Sequence, residues 1–229
     1  RAELLRQVKT PGGRADLVLG WLRAPQNPDE ALQKLLNFRC QSITRFVQKL
    51  ATRAHEAGLE VGLDCFSPML ARMVGQDLEA LGEWVEWIKL MLYAHTFGPA
   101  GLPYELTGLA NFLIDHGGMG ETQAMTALSR ACGIPLPSSR HLLRSIGLNP
   151  TALQMETLRG NISTPALVLA GMELVEIPGV TELYRTQVEA DLQAVKEEEP
   201  EGLAISWDLR HIPLERLDWV RKIWLEMDN

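Results

Sequence analysis

The stretch ALVLAGMELVEIPGV, residues 166–180, decides how the fold is read. Residues 166–172 would suit any buried strand, yet they run straight into Glu173, and Glu176 follows just before a Pro-Gly turn. A short apolar run bounded by turn residues reads as a strand buried on both faces, the condition of strands in parallel sheets. Such a strand has no evident reason to end on an acid.

Segments of the same kind recur on either side. Residues 59–68 (LEVGLDCFSP), 86–96 (EWIKLMLYAHT) and 202–213 (GLAISWDLRHIP) read as strands, and helices are expected over 76–84, 181–195 and 214–226. Upstream, residues 2–8 and 16–22 read as short helical pieces separated by TPGGR. After a PQNPDE cap, residues 31–57 form a long amphipathic helix, with Leu32, Leu35, Leu36, Ile43, Phe46, Val47 and Leu50 at helical spacing and Gly58 as its stop. Between the second and third strands, residues 97–164 are polar and helical, with helices near 121–131, 138–145 and 151–158. The organisation expected is a helical segment, 1–58, leading into four βα units over 59–229, with a helical insertion at about 97–164.

Strands joined by helices rather than hairpins must run parallel, which leaves an open doubly wound sheet or a closed (β/α) barrel. The open dinucleotide-binding version needs a glycine-rich loop directly after a strand. DHGGMGE, residues 115–121, lies inside the insertion and reads as an interhelical turn. The barrel is favoured by the strand faces. Because side chains alternate along a strand, Gly62 and Asp64 share a face, as do Lys89, Met91, Tyr93 and His95, then Leu167, Leu169, Gly171 and Glu173, then Ala204, Ser206 and Asp208. In a barrel those faces line the lumen, and Asp64, Tyr93, His95, Glu173 and Asp208 point to the C-terminal mouth where barrel active sites lie. The plainer reading is that each charge is merely solvated where its strand leaves the core; coincidence on four strands favours the pocket. Lys89, in mid-strand, is either a structural ion-pair partner or a substrate contact. Glu176, Arg210 and His211 lie just past strands, where they could line the pocket. Trp84, Trp87, Trp207, Trp219 and Trp224 read as packing residues rather than sugar platforms.

Composition bounds the function. A chain of 229 residues, 46% hydrophobic and 22% charged, carries enough apolar surface for a sizeable core. A net charge of -7 argues against nucleic acid or an anionic membrane as partner, and no apolar run approaches the ~18 residues of a membrane span. Cys40, Cys65 and Cys132 are odd in number and scattered, so they read as small buried hydrophobes rather than a disulfide framework or a zinc site. EEEPE, residues 197–201, reads as a solvated turn. No cofactor or metal is expected.

The series FRCQSITRFV, GLEVGLDCFSP, EWIKLMLYAHTFGPAGL, GMELVEIPGVT and ISWDLRHIP resembles the C-terminal half of glycoside hydrolase-like TIM-barrel proteins, a group related to the large clan of (β/α)8 glycosidases. The resemblance runs from about residue 37 to the C-terminus. It implies a parallel, TIM-barrel-like (β/α) fold with only its last four βα units present, and a carbohydrate substrate. In that clan the nucleophile is a glutamate at the end of the seventh strand, the position of Glu173 when strands are counted back from the C-terminus. Tyr93 or His95 would tune Glu173, while Asp64, Lys89 and Asp208 would contact the sugar. The clan's acid/base glutamate, after the fourth strand, would precede Arg1. Half a barrel has open strand edges, so the chain is expected to be part of a longer polypeptide or to associate with a complementary half or a second copy. Two alternatives stand beside the hydrolase: a catalytically inactive carbohydrate-binding or scaffold barrel, and a metal-dependent barrel hydrolase using Asp64, His95 and Asp208. The last is disfavoured because no other histidine falls within a strand.

Overall fold

The computed structural model describes residues 2–23 and 29–225. Its four strands are β1 (Gly62–Phe66), β2 (Trp87–Met91), β3 (Leu167–Glu173) and β4 (Gly202–Ser206), all parallel and hydrogen-bonded in the order β1-β2-β3-β4. The protein is therefore α/β with a four-stranded parallel sheet. The sheet is open: β1 and β4 are its outer strands, and the described residues do not close it into a barrel.

The helices are α1 (Ala2–Gln7), α2 (Pro11–Leu22), α3 (Glu30–Glu56), α4 (Pro68–Ala71), α5 (Leu78–Gly82), α6 (Leu102–Asp115), α7 (Glu121–Cys132), α8 (Arg140–Ile146), α9 (Pro150–Ser163), α10 (Arg185–Lys196) and α11 (Leu214–Trp224). None is long and apolar enough to cross a membrane among the described residues. When each strand pairs with the next in sequence, right-handed crossovers all fall on the same side of the sheet. The burial is correspondingly one-sided. Cys65, Ile88, Leu90, Val168, Ala170 and Met172 are buried on one face. On the other face Phe66, Trp87, Lys89, Met91 and Leu169 are half-buried, Asp64 is exposed, and Leu167 is 51% exposed. Close approach tightens both faces. Gly160 of α9 lets Leu90 pack against the helix, where a Cβ would stand 2.1 Å from Leu90 Cδ1, and Gly62 leaves room for the Trp87 ring to lie across β1.

Several boundaries differ from the sequence reading. TPGGR is the start of α2 rather than a separator: the Thr10 side chain accepts from Gly13 N and Pro11 occupies the first turn, where its missing N–H costs nothing. Most of PQNPDE lies outside the described residues, but Asp29 is the N-cap of α3 and accepts from Leu32 N. The apolar residues of α3 divide between two faces. Leu32 and Leu36 are buried, whereas Leu35, Ile43, Phe46 and Leu50 are exposed, together with Phe38 at 66%. DHGGMGE does join two helices, α6 and α7, with Gly118 at φ +71°. The fourth strand is shorter than expected: β4 stops at Ser206, and 209–211 is a 3-10 turn. All three cysteines are free and buried, and burial pushes the Cys65 and Cys132 thiols up to about 12.

Candidate active site at the open face of the sheet

The half-covered face of the sheet carries a charged pair among apolar neighbours. Asp64 of β1 and Lys89 of β2 are register partners, and Lys89 Nζ donates to Asp64 Oδ2 at 2.6 Å. Lys89 pairs in register with Leu169, and its side chain is accommodated because the diagonal position on β3 is Gly171, where a Cβ would fall 3.0 Å from Lys89 Cγ and 2.6 Å from the Leu90 carbonyl. Burial alone would lower the Lys89 ammonium, but the bond to Asp64 and the neighbouring Tyr93 outweigh it and hold Lys89 above its ordinary value. Burial raises the Tyr93 phenol, with Lys89 opposing. The Tyr93 ring packs on Trp207, centroids 5.3 Å apart and planes tilted by 55°. Trp207 is 48% exposed, so the expectation that it is a packing residue holds for one side of the ring only.

Glu173 closes β3 and is 4% exposed. Its Oε1 accepts the His95 peptide N–H at 2.5 Å. Burial pushes its carboxyl up to about 7, only partly offset by the His95 ring and that peptide N–H. His95 itself lies past the end of β2, and its ring is turned into the helical layer rather than toward the mouth. Nδ1 is 3.0 Å from the Ile146 carbonyl at the end of α8, and Nε2 is 2.7 Å from Asp191 Oδ2 on α10. A carbonyl only accepts, so Nδ1 carries a proton and Nε2 is left to face the carboxylate. Burial alone would lower His95, yet the Asp191 hydrogen bond and the Glu173 carboxyl hold it above its ordinary value. Burial raises Asp191.

Asp208 sits apart from this cluster. It caps the 3-10 turn, accepting from Arg210 N and Arg210 Nε on Oδ1, while Oδ2 pairs with Arg210 Nη2 and His211 Nδ1 at 2.9 Å each. The Arg210 hydrogen bond holds Asp208 far below the usual carboxylate range. Asp64 is distant from Glu173 for a simpler reason. Its row in the sheet meets β3 at Leu169; Glu173 is four residues further on and two strands across, a backbone separation of about 16 Å from strand rise and spacing. Glu176 pairs with Arg216, a buried residue that also donates to the Leu174 and Val175 carbonyls. The loops past the strands are tied together: Phe97 N donates to the Val180 carbonyl, and Glu176 N to the His211 carbonyl.

The sequence thus locates Asp64, Lys89, Tyr93 and Glu173 on one face, misplaces Asp208, and gives His95 the wrong orientation. It does not single out Asp191. The signal was present: Val188, Asp191, Leu192 and Val195 occupy one buried face of α10, an acid where helical spacing calls for an apolar residue. The residues of the metal-dependent alternative do not meet, since Asp64 lies on β1 and Asp208 just past β4, at opposite edges of the sheet, and both His95 nitrogens are engaged. Among the described residues no three potential ligands cluster. Protein-family models, curated proteins and solved structures were each compared with the chain, and none matches it.

Proposed function

We propose that the chain is half of a carbohydrate site of glycoside hydrolase type, with Glu173 as a catalytic carboxyl and the open sheet face as the floor of the sugar cleft. The observation that carries this reading is Glu173 itself: a carboxyl buried at the C-terminal end of a parallel strand and protonated up to about 7, on the face that presents the Tyr93–Trp207 aromatic pair. Strands paired in sequence order with one face left open have the topology of a (β/α) barrel cut in half. Four further strands would complete it, supplied by the rest of a longer polypeptide or by a second copy.

The protonation of Glu173 sets its role. A nucleophile must be ionised, whereas a carboxyl that keeps its proton near neutrality is a general acid, able to protonate the leaving glycosidic oxygen. Glu173 is therefore assigned as the proton donor, in place of the nucleophile role that the resemblance implies. Glycosidases need a second carboxyl about 5 to 9.5 Å away. Asp64 is too distant and Asp208 is bound to Arg210, so the second carboxyl arrives with the completing half. Asp64 and Lys89 offer hydrogen bonds to hydroxyls, and the exposed side of Trp207 offers a stacking surface.

The test is a titration of the chain with a panel of soluble oligosaccharides, recording tryptophan fluorescence and reducing ends together. Expected is saturable quenching that Trp207→Ala abolishes, with no reducing ends released by the chain alone. Absence of binding across the panel would refute the sugar-cleft reading, and hydrolysis by the lone chain would refute the two-half site. A second reading, a carbohydrate-binding barrel without turnover, is favoured by the missing second carboxyl. It predicts that the completed assembly binds sugar but does not hydrolyse it, whereas the first predicts hydrolysis that Glu173→Gln reduces by roughly 10²- to 10⁴-fold.

A further inference from the structure

We infer that Asp191 is a positioning residue for Glu173, acting through His95: it holds the His95 ring against α8 and α10, so that the His95 peptide N–H and a positive charge both stay beside the Glu173 carboxyl. The inference rests on Glu173 being the functional carboxyl.

The geometry is a chain of three contacts running from the helical layer to the strand mouth. Asp191 Oδ2 meets His95 Nε2 at 2.7 Å, His95 Nδ1 reaches the Ile146 carbonyl at 3.0 Å, and the peptide N–H of the same residue donates to Glu173 Oε1 at 2.5 Å. With Nδ1 committed to a carbonyl, the ring keeps a full positive charge only if a carboxylate balances Nε2, and Asp191 is that carboxylate. The Asp191 and His95 side chains are both buried, 4% and 7% exposed. Gly147 makes the arrangement possible. It stands at φ +72°, and a Cβ there would fall 2.4 Å from His95 Nδ1 and 2.3 Å from the Ala94 carbonyl, so the end of α8 can approach the ring only with glycine at that position.

The charges around His95 come from five elements. Asp191 faces it from α10 and Glu173 from β3, with Lys89 and Tyr93 of the β2 segment beyond Glu173. A cavity of about 540 Å³ adjoining His95 is lined by His141 and Arg144 from α8 and by Glu182 from the segment after β3. Arg144 is turned over the Phe97 ring, 4.4 Å from its centroid. The two acids that meet His95 directly are thus Asp191 and Glu173. The raised proton affinity of His95, to which the Asp191 hydrogen bond contributes, agrees with a ring held charged against that carboxylate.

The test reads the carboxyl itself rather than turnover. The protein is labelled with ¹³C at glutamate carboxyls, the Glu173 resonance is assigned from its loss in Glu173→Gln, and Glu173 and the His95 ring are titrated in wild type, Asp191→Asn and His95→Gln. In Asp191→Asn the His95 midpoint is expected to fall by at least about one pH unit, tenfold in proton affinity, and the Glu173 midpoint to rise because the adjacent positive charge is lost. In His95→Gln, which keeps the peptide N–H, the Glu173 midpoint rises likewise. A Glu173 midpoint that stays or falls in either folded variant overturns the inference. If Asp191→Asn does not fold, His95→Gln decides alone. Shifted midpoints in a protein that binds no sugar would leave this coupling standing and remove the proposed function.

Discussion

At the scale of single residues, Glu173 ends an apolar strand on an acid whose burial favours the protonated form. That has a thermodynamic sign. The folded state holds the Glu173 proton up to about 7, against 4.5 for an ordinary exposed glutamate, so between those values the folded state binds more protons than the unfolded one and stability falls as pH rises. Glu173 alone accounts for a loss of roughly 3 kcal/mol across that window. His95 acts in the same direction: its contribution is complete below 6.5 and disappears as pH passes its higher folded value. Urea unfolding at a series of pH values should show this decline, and Glu173→Gln should remove most of it below pH 7; an unchanged slope in the variant contradicts the assignment. Gly147→Ala is expected to cost about 1–3 kcal/mol from strain and overpacking, measured by the same unfolding series. Glu173 was legible in the sequence because it interrupts a run of seven strand-forming residues. Asp191 was not, because its partner His95 is 96 residues away and nothing local distinguishes a buried paired acid from an interruption of the apolar stripe.

At the scale of elements, the strands were legible as apolar runs and their ends were not. A strand extends only as far as a neighbour pairs with it. Glu173 and Ser206 are the last register partners of β3 and β4, so WDLRHIP leaves the sheet and Asp208 goes with it. The helix α6 lay in a region read as polar and broken, yet Leu102, Leu106, Ala110 and Leu113 form its fully buried stripe. Frequent glycine and proline on either side obscured a regular 3.6-residue period. The layer between helices and sheet is close-packed at Leu90, which is fully buried and touches the Gly160 position of α9. Leu90→Ala should cost about 2–5 kcal/mol by opening a cavity, and Gly160→Leu should also destabilise by overpacking. Denaturant midpoints at constant m-value test both; a neutral Gly160→Leu would mean that α9 does not lie against β2.

At the scale of the whole molecule, the sheet order, the one-sided burial and the exposed stripe of α3 point the same way. A parallel sheet covered on one face only, with Leu167 exposed and Trp87, Met91 and Leu169 half-buried, presents surface that such sheets ordinarily bury. Sedimentation of the isolated chain should show concentration-dependent association, which Leu167→Lys weakens and Leu158→Lys, on the exposed side of α9, does not. A monodisperse monomer would count against the half-barrel arrangement. Class and parallel order could be read from alternating strands and helices, but closure could not, because nothing in a strand's own sequence tells whether its free edge meets a partner. The central claim is that Glu173 is the catalytic carboxyl of a sugar cleft on the open face. It is tested most directly by incubating the protein, at a pH above the Glu173 value of about 7 so that the carboxyl is ionised and can open the epoxide, with epoxyalkyl glycosides, which esterify a carboxylate adjacent to a bound sugar, and locating the ester by peptide mass spectrometry. The account predicts an ester on Glu173 that free oligosaccharide suppresses; an ester on other carboxyls with Glu173 unmodified, or labelling indifferent to competing sugar, would contradict it.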